Sequence, residues 1–134
     1  MRMDKDGIGK FVLKGDSVEA WKEMVSIQVD STTVSLRKYM DTWKNIRMKA
    51  DSKIDIKEET MGDDSIIVTY TSLSSDETSI RRFIKDKDGV YILAYHVRPK
   101  FKNDETFKIW DDIVRTATLI QNSNKDEIAQ SVLD

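Results

Sequence analysis

Between Gly89 and Val97 the chain reads GVYILAYHV, and its two alternating sets of side chains, Val90, Ile92 and Ala94 against Tyr91, Leu93, Tyr95 and Val97, are both apolar. Successive residues of a β-strand point to opposite faces of the sheet, so a strand with one face in water alternates apolar with polar. This one does not. It requires a sheet covered on both sides, and the rest of the chain must supply two covers.

Two amphipathic segments meet that requirement. After DSTT, whose side-chain oxygens suit a helix start, Leu36, Met40, Trp43 and then Ile46 or Arg47 recur at helical spacing and predict a helix over residues 33–49. After NDETF, where Asn103 or Asp104 can cap, Phe107, Trp110, Val114 and Ala117 share one face with Ile113 beside them, predicting a helix over 105–120. Extended segments are expected at 10–14, 24–29, 53–59, 65–72, 78–85 and 90–98. The last four are separated by the turn sequences MGDD, SSDE and DKDG, which makes them an antiparallel meander, with Gly89 assigned a positive φ in its hairpin turn. The sum is one α+β domain over residues 10–121, a curved antiparallel sheet of about six strands with helices on both faces. A flexible leader over 1–9 precedes it. A polar tail over 122–134 follows, where Ile128 and Val132 at i, i+4 offer a short docking helix.

Composition narrows the function classes. At 134 residues and 39% apolar content the chain can bury a core without cross-links. Cysteine is absent, which removes disulfides, thiolate metal sites and thiol nucleophiles together. Basic and acidic side chains, 22 against 24, are well mixed and leave a net charge of -2, so nucleic acid is not an expected partner. No window approaches the ~18 apolar residues of a membrane-spanning helix.

His96 is the single histidine. A metal would need further nitrogen or sulfur ligands that the chain lacks, and no spacing singles out a serine and a carboxylate to activate it for nucleophilic catalysis. Next to Arg98 and Pro99, it is expected at a strand end with its side chain reaching water. DKDG at 86–89 fails as a calcium loop: with Gly89 as sixth residue, the first and twelfth positions fall on Ile84 and Tyr95. GIGKF has Gly7 and Gly9 but neither a third glycine nor a preceding strand, so it is no dinucleotide fingerprint. Asp63 and Asp64 fall in a turn, and Asp111 and Asp112 diverge by about 100° around a helix. No catalytic, cofactor-binding or metal-ligating residue emerges, and a non-enzymatic protein without a cofactor is the expectation.

Three stretches, SVEAWKEMVSIQV, YILAYHV and the terminal FKIWDDIVRTATLI, together resemble the PsbP-like α/β/α sandwich group over residues 11–121. The resemblance implies a curved antiparallel sheet between helices, and roles as adaptors, assembly factors or binding modules without a shared reaction. It also points to small bacterial proteins made with export signals, hence a mature exported domain, against a cytoplasmic one if Met1 is the native start. The alternative architecture is a cystatin-like sheet wrapped on the 33–49 helix, with the last helix an addition.

The leading functional expectation is therefore a protein-binding domain whose partner meets an exposed sheet edge, the basic loop of Arg98, Lys100, Phe101 and Lys102, or the tail residues Ile128 and Val132. The second is a carrier of a small apolar ligand, in a pocket between helix and sheet lined by Trp43, Tyr70, Phe83 and Trp110. An enzyme whose site is assembled from distant residues comes third. Because the chain offers no ordinary metal ligand set, EDTA should leave the melting temperature unchanged; a drop restored by one specific ion would reveal a carboxylate site.

Overall fold

A computed structural model describes residues 8–15 and 20–118. The strands are β1 (Ile8–Gly15), β2 (Trp21–Ser31), β3 (Ile54–Thr60), β4 (Ser65–Ser72), β5 (Glu77–Lys85) and β6 (Gly89–Val97); the helices are α1 (Leu36–Ala50) and α2 (Asp104–Thr116). They form one antiparallel sheet in the order β1-β2-β6-β5-β4-β3. The meander from β3 to β6 is present as expected. The tail, with Ile128 and Val132, lies outside the described residues.

Both faces of the central strands are buried, for the reason their sequences give. On one face Ile66, Val68 and Tyr70 of β4, Phe83 of β5, and Val90 and Ile92 of β6 form a core with Leu36 and Met40 of α1. The intervening residues, Ile67, Ile80, Tyr95 and Val97 with Val25 of β2, form a second core with Val114 of α2, and Phe107 and Trp110 pack against it. α2 is thus a structural layer, where the cystatin-like alternative made it an addition. Its Trp110 lies flat on Tyr95, ring centroids 5.2 Å apart and planes within 5°.

Charged residues fasten each layer. Glu58 and Glu59, neighbours on β3, point to opposite faces: Glu58 takes a two-pronged bond from Arg37 of α1, at 2.7 Å for each prong, and Glu59 an ion pair from Arg115 of α2 at 2.7 Å. The Arg37 hydrogen bonds, with help from Lys44, pull the Glu58 carboxyl down to about 2.

Local chemistry sets the helix limits. α1 starts at Leu36, later than expected, because Ser35 is the residue whose oxygen caps Lys38 N at 3.2 Å. Asn103 caps α2 through Thr106 N at 3.1 Å. α2 ends at Thr116, short of the expected residue 120, where Arg82 of β5 donates to the carbonyls of Val114 at 3.3 Å and Arg115 at 2.8 Å. A tertiary cap of this kind leaves no local trace in sequence.

Gly89 does not take the positive φ assigned to it; among the described glycines Gly15 and Gly62 do. Its small size serves another purpose, since a Cβ there would sit 2.4 Å from the Asp30 carbonyl oxygen of the paired strand. Because Trp110 stacks on a fully buried ring while remaining half-buried itself, Trp110→Ala should lower the unfolding free energy by about 3 kcal/mol. Urea titration checks this; a loss below about 1 kcal/mol would place α2 outside the folding core.

Candidate functional site

His96 corrects the first expectation. It does not reach water: the residue is 5% exposed, on the α1 side of the sheet, where β6 lies between β2 and β5. The register sets His96 beside Met24 and Ser79 and places Ser26 and Glu77 on its diagonals. The Ser26 hydroxyl lies 2.6 Å from Nε2, and Nδ1 is hydrogen-bonded to the Glu77 carboxylate. Arg81 donates to that carboxylate at 3.3 Å and to Ser79 at 3.2 Å, its guanidinium lying 5.0 Å from the Tyr70 ring and 5.6 Å from that of Trp43. Trp21 meets His96 edge-on with 6.1 Å between centroids. Burial alone would raise the Glu77 carboxyl, but the His96 hydrogen bond and the Arg81 charge outweigh it and hold it below its ordinary value.

Serine on one imidazole nitrogen and carboxylate on the other is the connectivity of a hydrolytic triad. The backbone around it is committed to the sheet. β2 and β6 are interior strands with partners on both sides, so the N–H groups near Ser26 belong to the ladders instead of converging on an oxyanion. What the network does achieve is mutual satisfaction of polar groups at low exposure. Among the described residues, no three His, Asp or Glu side chains converge as a metal ligand set.

The basic loop divides in two. Arg98 donates to the carbonyls of Ser75 at 2.8 Å and Trp21 at 3.3 Å and lies 3.9 Å over the Trp21 ring, so it ties the end of β6 to β2 and to the β4–β5 turn. Its guanidinium is engaged within the chain, by backbone carbonyls and an aromatic ring. Lys100, Phe101 and Lys102 are exposed, with Phe101 at 43% at the end of a short 3-10 turn. The structure adds a residue the sequence did not disclose: Lys22 of β2 lies 5.0 Å over the Phe101 ring, with Lys100 at 5.7 Å from the same ring. Lys102 lies 4.8 Å over Phe107 and 3.6 Å from Asp104. Lys22 arrives through strand pairing, its carbonyl accepting Arg98 N at 3.0 Å.

The expected apolar pocket does not form from its four aromatics. Tyr70 and Phe83 are fully packed with Trp43 in the α1 core, and Trp110 stands on the other face. A groove of about 460 Å³ remains open instead between α1 and β2. The β3 edge carries Asp55, Lys57, Glu58 and Glu59, a charge pattern that discourages strand addition.

No protein-family model matches the chain, and no curated protein sequence matches it. Among solved structures it is similar to a protein of unknown function from Pseudomonas aeruginosa, described as a suspected regulator, with a TM-score of 0.68 and 13% identity over 89% of this chain and 87% of the other. At that identity the likeness shows the fold alone, an open six-strand antiparallel sheet with two helices.

Replacing His96 by alanine removes the bridge between Ser26 and Glu77 and should cost about 1–3 kcal/mol. Because the Glu77 carboxyl is depressed on folding, its contribution is full above the unfolded value of about 4.3 and is lost as pH falls below it. His96→Ala should make the decline in stability between neutral and acidic pH shallower, measured by urea unfolding at each pH. An unchanged slope would mean that His96 does not set the Glu77 equilibrium.

Proposed function

We propose that the protein is a non-catalytic binding domain, an adaptor or assembly module of PsbP-like α/β/α type, that docks an acidic protein partner on the patch of Lys22, Lys100, Phe101 and Lys102. The observation that carries this reading is the convergence of two lysines on one exposed aromatic ring, at 5.0 and 5.7 Å. Phe101 is 43% exposed and supplies the apolar centre that interfaces favour, and the lysines around it supply attraction for carboxylates. Among the described residues, only Lys102 of the three lysines has a carboxylate within 4 Å, that of Asp104. Among the described residues the patch is therefore locally positive, on a chain of net charge -2.

Three cations favour a protein over a nucleic acid. Neutralising about three phosphates gives a weak, shallow salt response, far below the six to ten contacts of ordinary nucleic-acid binders. An acidic protein can add complementary packing on the ring.

The test places a photo-cross-linking amino acid at position 101 in the native host, with a control at Asp63, exposed in the β3–β4 turn at the opposite end of the strands. A specific adduct is expected at 101 and not at 63. It should be lost in Lys22→Glu/Lys100→Glu, whose melting temperature should match the parent, and weaken as salt rises. An adduct that survives both the charge reversal and high salt would refute the patch, and turnover of a substrate by purified protein would refute the non-catalytic class.

A further inference from the structure

The groove between α1 and β2 is a separate surface with its own chemistry. Its apolar wall is Val34, Tyr39, Trp43 and Ile46, the last 61% exposed, and Gln28 and Asp30 of β2 also line it. Residues 39, 43 and 46 follow one flank of α1, so the wall is continuous along the helix. The single carboxylate lining it is already engaged: Asp30 accepts from Gln28 Nε2 at 3.1 Å and from the Tyr39 hydroxyl. Its two cations form no ion pair among the described residues: Lys38 is exposed, and Arg47 lies 5.4 Å over the Trp43 ring, with the Glu77 carboxylate within its electrostatic reach but not in contact.

An open apolar trough with an engaged acid and two cations that have no ion-pair partner among the described residues is complementary to one kind of molecule. We propose that this groove binds an amphipathic monocarboxylate, aryl or medium-chain aliphatic, with its head on the Arg47 guanidinium and its body along Trp43, Ile46 and Tyr39. A planar guanidinium can take both carboxylate oxygens at once, and the adjacent indole face holds it in place. From Arg47 to Tyr39 the helix rises about 12 Å, enough for a body of medium length, and the groove's 460 Å³ falls within the volume of ordinary ligand sites. Lys38 stands beyond Tyr39 and adds attraction for an anion without touching its head. The inference does not rest on the basic patch, which lies at the Phe101 end of β6.

Octanoate, 1-octanol and octyltrimethylammonium, each titrated below its aggregation limit, separate charge from apolarity on the unaltered protein. NMR of the Trp43 indole N–H and the Ile46 methyl groups reads the site. Octanoate should shift these signals saturably at millimolar concentration or below, with 1-octanol about tenfold weaker and the cationic amphiphile weaker still. Arg47→Gln should reduce octanoate affinity about tenfold, and Arg47→Lys should retain part of it. Equal response to octanoate and 1-octanol, shifts confined to Lys100 and Phe101, or no saturable shift would each overturn the proposal. Should Arg47→Gln fail to fold, the three-ligand comparison on the parent protein decides alone.

Discussion

Everything in this fold depends on neighbouring residues of the central strands serving opposite cores. Ile66 and Val68 bury against α1 while Ile67 between them buries against the α2 core, and Phe83 and Ile80 divide in the same way on β5. A one-residue slip would exchange the two sets and mismatch the packing of both cores at once, so shape complementarity on each side, not polarity alone, specifies the register. The same alternation arranges the charges. Glu58 and Glu59 on β3 face α1 and α2 respectively, and of Arg81 and Arg82 on β5 the first packs under Trp43 of α1 while the second caps the end of α2.

That constraint also explains where polarity is admitted. On the α1 side the apolar residues of β5 and β6, Phe83, Val90 and Ile92, give way towards the other end of these strands to Ser79, Glu77 and His96. Polar groups at such low exposure are costly unless each finds a partner, and among the described residues no buried side-chain polar atom lacks one. Ser26, His96, Glu77 and Arg81 form one chain of hydrogen bonds across β2, β6 and β5. Such a chain makes each member sensitive to the protonation of the next. The triad-like connectivity arises from diagonal positions in an antiparallel ladder.

Much of the fold was legible because two-sided burial writes itself into periodicity. The strand GVYILAYHV demands two covers, the helical spacing of Leu36, Met40 and Trp43 and of Phe107, Trp110 and Val114 provides them, and the turns order the meander. The site was not legible, because its members meet across the sheet: Ser26 and Glu77 lie 70 and 19 residues from His96. Arg98 looked like a free charge since its acceptors are backbone carbonyls of Trp21, Ser75 and Asp76, which no side-chain pattern reveals. Lys22 looked like any surface lysine until strand pairing carried it over Phe101. Gly89 was legible as special for the wrong reason, a conformational need instead of a close backbone approach.

The fastening of β3 alters how this protein can open. An edge strand is ordinarily the cheapest part of a sheet to peel away, because it leaves a single ladder behind. Here β3 is linked to α1 through Glu58 and to α2 through Glu59, so peeling it breaks contacts with both outer layers as well as the ladder to β4. The two helices, which share no face of the sheet, thereby acquire a common anchor. Loss of β3 would therefore remove an ion pair from each helix at once, although the helices lie on opposite faces.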